Sequence, residues 1–226
     1  MTAERAPEGF VYYFAFGANI NPKVHGKEAS DRYQGRRNDF IQAQPARLPG
    51  YRLAFNLRGF AFGEPCFGSV ERCYGEEVHG VCYCITEEAF ARLVESEFPY
   101  KVIDVEVETY DDGRRLQAKT LQASSVRDIE TCPKCSIPSK RYWSLIVEGC
   151  KYWKLKPEYV KRLENTQYFT PSGLQAILSR FFLWFIQIGL AKLKVPMVYR
   201  KYVYFVICRL SWWLVDLKHL FSHNHL

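Results

Sequence analysis

The chain has 226 residues, a formal net charge of +7 and eight cysteines. That length buries a substantial core and favours one domain with an appendage. The basic residues are scattered through the first 170 positions without an aromatic-interleaved basic stripe, which argues against nucleic acid as a partner. The N-terminal "MTAERAPEGF" lacks the apolar core of a secretory leader, so the cysteines read as reduced thiols of a cytoplasmic protein.

In chain order, the first element is the aromatic run that opens "YFAFGANI" (residues 13–20). Tyr12, Tyr13, Phe14 and Phe16 are strand formers, and residues 11–16 read as a short buried strand. The strand stops at Gly17-Ala18-Asn19. Gly17 permits backbone angles that a side chain forbids, and Asn19 tolerates the left-handed region. Two readings follow: an ordinary strand-to-loop turn, or a cradle of successive N–H groups for an anionic or carbonyl oxygen.

Further along, "YQGRRN" (residues 33–38) is a polar loop or a helix end, and Pro49-Gly50 signals a turn before a strand at 51–56. "FGSVERCYGEEVHGVCYCI" reads as two strands around a loop containing Gly75, with Cys82 and Cys84 on one face as small buried groups. Residues 86–97 form a helix with Thr86 as N-cap and Glu87 and Glu88 set against the dipole. "KVIDVEVETY" alternates as a strand and turns at Asp112-Gly113 into another. Cys132 and Cys135 make a lone C-x-x-C, and the absence of a second pair argues against a zinc ribbon. "PSKRYWSLIVEGCKYWKL" and "PEYVKRLENT" are helices. Many strands with few helices between them predict an α+β fold around a mixed or closed sheet.

Near Tyr168 the composition changes, dividing the chain into a first domain at 1–168 and a hydrophobic, amphipathic helical tail at 169–226. Two tail segments are long enough to suggest membrane spans, but each carries a central arginine, Arg180 or Arg209, which is costly at the bilayer centre. Their link holds Lys192, Lys194, Arg200 and Lys201, against the positive-inside tendency for a spanning pair. Broad apolar faces with basic stripes and Trp184, Trp212 and Trp213 predict helices lying on an intracellular membrane surface through residues 174–217. The alternative is that they pack on the globular domain or on a second subunit.

One carboxylate is conspicuous. Phe90, Leu93 and Val94 mark the inward face of the helix at 86–97, and Glu97 falls on that face, while Glu88 and Glu95 share the solvent side. Glu97 is therefore frayed out to water, paired with an interior cation, or kept for chemistry. Desolvation in the last case would make it a better proton acceptor.

These stretches carry a family resemblance. "YFAFGANI", "LPGYRLAFN", "EVHGVCYCITEEAFARL", "SEFPYKVIDVEV" and "PSKRYWSLIVEG" resemble, in order and spacing over residues 11–165, the γ-glutamylcyclotransferases. The likeness is greatest to fungal members with a hydrophobic tail, including those of epidithiodiketopiperazine biosynthesis. The resemblance implies a small mixed β-barrel with flanking helices. It also implies release of 5-oxoproline from a γ-glutamyl substrate, with neither metal nor organic cofactor. It places the substrate grip at Phe16, Gly17, Ala18, Asn19, Ile20 and Tyr142, and the catalytic carboxylate at Glu97. Three departures stand out: Phe16 where the family has Tyr, Ala18 where it has Ser, and Val94 where it has Asp. The missing hydroxyls keep open a non-catalytic γ-glutamyl-binding or protein-interaction module, and an enzyme of other γ-glutamylamines.

Overall fold

Alternation along the first strand sets the architecture. In the computed structural model, which describes residues 3–25, 40–97, 99–123, 136–185 and 189–222, β1 spans Phe10–Ala15. Tyr12 and Phe14 point into one buried cluster, and Val11, Tyr13 and Ala15 into another, as the two-residue period of a strand buried on both faces requires. Four further strands follow: β2 (Phe40–Phe60), β3 (Glu64–Thr86), β4 (Tyr100–Thr109) and β5 (Arg115–Ala123). They close into a barrel in the order β1-β3-β2-β4-β5, sealed by the parallel pairing of β1 with β5. The predicted α+β barrel is present.

The cluster around Tyr12 and Phe14 is built from strand residues, among them Leu48, Val78, Val107 and Leu116, together with Phe16 just past the end of β1, and fills the barrel. Cys82 and Cys84 sit there together, 1% and 3% exposed. Burial pushes both thiols up, away from the reactive thiolate. The outer cluster joins Tyr13, Val81 and Tyr83 to the flanking helices α1 (Glu87–Ser96), α2 (Lys140–Tyr152) and α3 (Pro157–Glu164). Thr86 caps α1, its hydroxyl accepting from the Ala89 N–H at 3.2 Å, and Ser139 caps α2 through the Tyr142 N–H at 3.1 Å.

Two expected turns are not turns. Pro49-Gly50 lies inside β2, and Gly75 inside β3, so neither divides a strand. Pairing continues on both sides, with Pro49 opposite Glu77 and Tyr51 opposite Arg72. The positive φ of Gly50 (74°) and Gly75 (84°) instead bends the two long strands together at a bulge. The C-x-x-C at Cys132 and Cys135 and the polar segment at 33–38 lie outside the described residues.

A polar cluster ties the outside of the barrel to α3. The Arg47 guanidinium bonds Glu77 at 2.8 Å and Glu108 at 2.7 Å, and Glu77 also bonds the His79 Nε2 at 2.9 Å. The other His79 nitrogen meets the Tyr110 hydroxyl. His79 is buried, and that burial pushes its imidazole below the ordinary histidine value.

Beyond α3, the backbone of Phe169 pairs with Pro138 and Lys140 beside the start of α2. The chain then forms α4 (Gly173–Trp184), the short α5 (Leu190–Lys192) and α6 (Met197–Ser222). The end of β2 receives them. Trp212 Nε1 donates to the Gly59 carbonyl at 2.9 Å, the Ala61 N–H donates to Ser211 Oγ at 3.0 Å, and the Phe60 and Phe182 rings lie 4.2 Å apart.

Candidate active site

The loop leaving β1 is a single 3-10 turn, Ala18–Ile20, fastened to α2 from beneath. The Ile20 N–H donates to the Gly17 carbonyl and the Asn21 N–H to the Ala18 carbonyl. The Ile20 carbonyl accepts from Trp153 Nε1 at 2.8 Å, and Asn21 Nδ2 donates to the Leu145 carbonyl at 3.0 Å. These bonds tie the loop to itself and to both the middle and the end of α2.

Gly17 is not there for its backbone angles. Its φ is −97°, outside the left-handed region, and Asn19 is not left-handed either. A Cβ on Gly17 would come within 2.8 Å of the Tyr142 hydroxyl oxygen. A side chain at position 17 would therefore press on the Tyr142 hydroxyl.

Asn19 acts through its side chain. It is 7% exposed, and its Nδ2 donates to the Tyr13 hydroxyl at 3.0 Å and to Glu97 Oε1 at 2.9 Å. Its carbonyl accepts from the Tyr83 hydroxyl at 3.3 Å. Glu97 ends α1 rather than continuing it: as C-cap it donates its N–H to the Val94 carbonyl and offers its own carbonyl to the Tyr100 N–H. The half-buried carboxylate is thereby fixed where α1 hands over to β4, facing the loop after β1.

Tyr142 reaches the same place from the first turn of α2. Its ring stands edge-on to Phe55 and Phe67, and its hydroxyl accepts from the Gly68 N–H at 3.2 Å. The Gly68 carbonyl accepts from the Tyr100 hydroxyl at 2.6 Å. Phe16, Gly17, Ala18, Asn19, Glu97 and Tyr142 line one pocket of about 50 Å³. Ile20 does not: its side chain is fully buried in the outer core. A much larger open cavity, about 910 Å³, lies near the start of β1 around Arg5, Tyr12, Tyr51 and Arg72, and contains none of these residues. Volume alone would select that cavity, whereas convergent polar groups select the small one.

Tyr13 and Tyr100 also line the small pocket and were not among the sequence candidates. The available signal is that a buried tyrosine needs a partner for its hydroxyl. Tyr13 sits on the helix-facing side of β1, and Tyr100 opens β4 three residues after Glu97. Among the described residues, no three His, Cys, Asp or Glu side chains converge as metal ligands.

A carboxylate held by an amide beside tyrosine hydroxyls lines a small polar pocket on a closed mixed barrel. The chain belongs to the gamma-glutamyl cyclotransferase, AIG2-like family, which matches residues 13–144, and its enzyme class is that of the γ-glutamylcyclotransferases. It is 25% identical over 192 residues to the gamma-glutamyl cyclotransferase gliK of Aspergillus fumigatus, covering 75% of this chain and 67% of that one. It is 25% identical over 173 residues to aclK of Aspergillus oryzae, covering 69% and 60%. Among solved structures, a gamma-glutamyl cyclotransferase matches with a TM-score of 0.55 at 21% identity, over 76% of this chain and 98% of that one. YkqA of Bacillus subtilis matches with a TM-score of 0.56 at 22% identity, over 72% and 57%. These structural likenesses concern the fold.

Proposed function

We propose that the protein cyclises a γ-glutamyl amide to 5-oxoproline, with Glu97 as the proton shuttle. The observation that carries this reading is the 2.9 Å bond from Asn19 Nδ2 to Glu97 Oε1, which sets the carboxylate against the loop after β1. The substrate's α-amine attacks its own γ-carbonyl, a C–N bond closes the five-membered lactam, and the original amide C–N bond breaks. Ring closure is intramolecular, so a folded, held substrate supplies much of the acceleration. Glu97 takes the proton the α-amine loses and returns it to the departing amine. In this reading the Gly17 and Ala18 amides and the Tyr142 hydroxyl meet the developing oxyanion.

The pocket is small, about 50 Å³, and in this reading the remainder of the substrate extends beyond it. By resemblance to the fungal members of secondary metabolism, that remainder is a glutathione-derived S-conjugate. Phe16 and Ala18 carry no hydroxyl, which favours as a second reading a module that binds γ-glutamyl compounds without turning them over. Measuring 5-oxoproline release from S-conjugates, free glutathione, γ-glutamyl amino acids and ε-(γ-glutamyl)-lysine separates these. S-conjugates should turn over fastest. Preference for simple γ-glutamyl amino acids overturns the substrate assignment, and saturable binding without any product overturns the enzymatic one.

A further inference from the structure

The C-terminal helices bury one side and leave the other apolar. On α6, Cys208, Ser211 and Trp212 face the barrel and are 3–5% exposed. The opposite side presents Tyr202, Val206, Leu210 and Trp213, spaced at three or four residues and thus stacked along one face. Leu210 is 53% exposed and Trp213 58%. On α4, Ser179 and Phe182 are buried, while Leu174, Ile177, Phe181 and Trp184 form an outward stripe at the same spacing. The two helices meet through the stacked Phe182 and Tyr204 rings, so both stripes belong to one appendage. Exposed apolar stripes of this kind on a folded chain mark a contact site.

Charge identifies the partner. From residue 169 onward the chain carries seven Lys or Arg against the single Asp216, which is +6 of its +7. Arg180 and Arg209 lie on the exposed sides of the two helices, beside the apolar stripes. A two-fold contact with a second copy would set these like charges against each other. An anionic lipid surface accepts both the basic groups and the Trp and Phe side chains. Among the described residues no helix is long and apolar enough to cross a membrane. We propose that the outward faces of α4 and α6 dock on an anionic lipid bilayer, lying along its surface. The proposal stands independently of the catalytic reading.

The test is co-sedimentation of the full-length protein with phosphatidylcholine vesicles, with and without phosphatidylserine. Binding should require phosphatidylserine and fall at high salt, and lipids brominated on the acyl chain should quench tryptophan fluorescence. Trp184→Ser with Trp213→Ser should lose most of the binding while keeping circular dichroism and 5-oxoproline release unchanged. Arg180→Gln and Arg209→Gln should each weaken binding about fivefold, the size expected per basic residue near an anionic surface. Absence of vesicle binding, or binding indifferent to phosphatidylserine, overturns the proposal. So does a concentration-dependent dimer that the tryptophan substitutions abolish in the absence of lipid, which would assign this face to a second copy.

Discussion

Asn19 holds Glu97 in place. Its Nδ2 lies 2.9 Å from Glu97 Oε1 and 3.0 Å from the Tyr13 hydroxyl, so a β1 tyrosine, the loop amide and the carboxylate closing α1 form one chain of contacts. A hydrogen bond to a charged acceptor is worth roughly 1.5–3 kcal/mol. Asn19→Ala should therefore lower kcat about 10- to 100-fold and KM far less, because it misplaces the carboxylate rather than removing it. Asn19→Asp should be worse than Ala, since it sets a second negative charge against the first. Equal kcat values for wild type and Asn19→Ala in a steady-state assay would remove Asn19 from the machinery.

For Glu97 itself the informative change is Gln, which keeps the acceptor for Asn19 and the shape of the side chain. It cannot take the amine's proton, and general acid–base groups contribute about 100- to 10,000-fold. Turnover should fall by at least that much, with the melting temperature preserved. Glu95→Gln, on the exposed side of α1, is the control and should leave turnover near wild type. A folded Glu97→Gln enzyme with normal 5-oxoproline release would refute the assignment.

The Gly17–Tyr142 contact makes a separate prediction. Gly17→Ala drives a methyl to within 2.8 Å of the Tyr142 hydroxyl oxygen, and overpacking of this kind costs about 1–3 kcal/mol. Tyr142→Phe leaves the Gly68 N–H without this acceptor, a loss of similar size. In the double variant the clash is gone, so its loss of stability should be less than the sum of the two single losses. Denaturant unfolding of the four proteins measures this, and strict additivity would mean that the two groups do not meet.

Much of this was legible locally. A two-residue alternation revealed β1 and Thr86 announced the start of α1, whereas Glu97, expected on the inward face by helical spacing, stands at the C-cap where the helix has already ended. The reason for Gly17 was not legible, because it depends on a tyrosine 125 residues away. Asn19 was read for its backbone, since nothing nearby shows that its amide meets a carboxylate from another element. Pro49-Gly50 and Gly75 carry ordinary turn chemistry. Whether such a signal reverses the chain or bends it depends on whether the neighbouring strand keeps pairing, and that is a property of the closed barrel. Tyr100 became visible as a pocket residue only through its bond to the Gly68 carbonyl.

His79 predicts how stability responds to acid. Burial holds its imidazole below the ordinary value, although the Glu77 carboxylate opposes the shift. Between the two pKa values the unfolded chain binds the extra proton, so stability is present above about pH 6.5 and declines as pH falls below it. Glu77 acts in the same direction at lower pH. Burial alone would raise it, but Arg47, His79 and Lys156 outweigh burial and lower it, so its contribution is lost as acid protonates the carboxylate. Thermal melts from pH 7.5 to 5.5 should show a steeper decline for wild type than for His79→Gln. Parallel declines would show that His79 is not the titrating group.

Trp212 tests what the tail does for the barrel. It is 5% exposed, donates to the Gly59 carbonyl, and carries the Arg58 guanidinium 4.7 Å above its ring. Replacing a buried tryptophan with alanine costs about 3–5 kcal/mol, so Trp212→Ala should melt well below wild type. Among the described residues, none that lines the small pocket lies beyond Tyr142, and turnover per folded molecule should stay within about twofold of normal, as expected when no transition-state contact is lost. A chain ending after Thr170 should likewise keep its turnover, but with Phe60 and Ala61 uncovered it should be less stable than the full-length protein. If Trp212→Ala remains folded yet loses kcat as severely as Glu97→Gln, the tail shares in the active site and the division near Tyr168 is wrong.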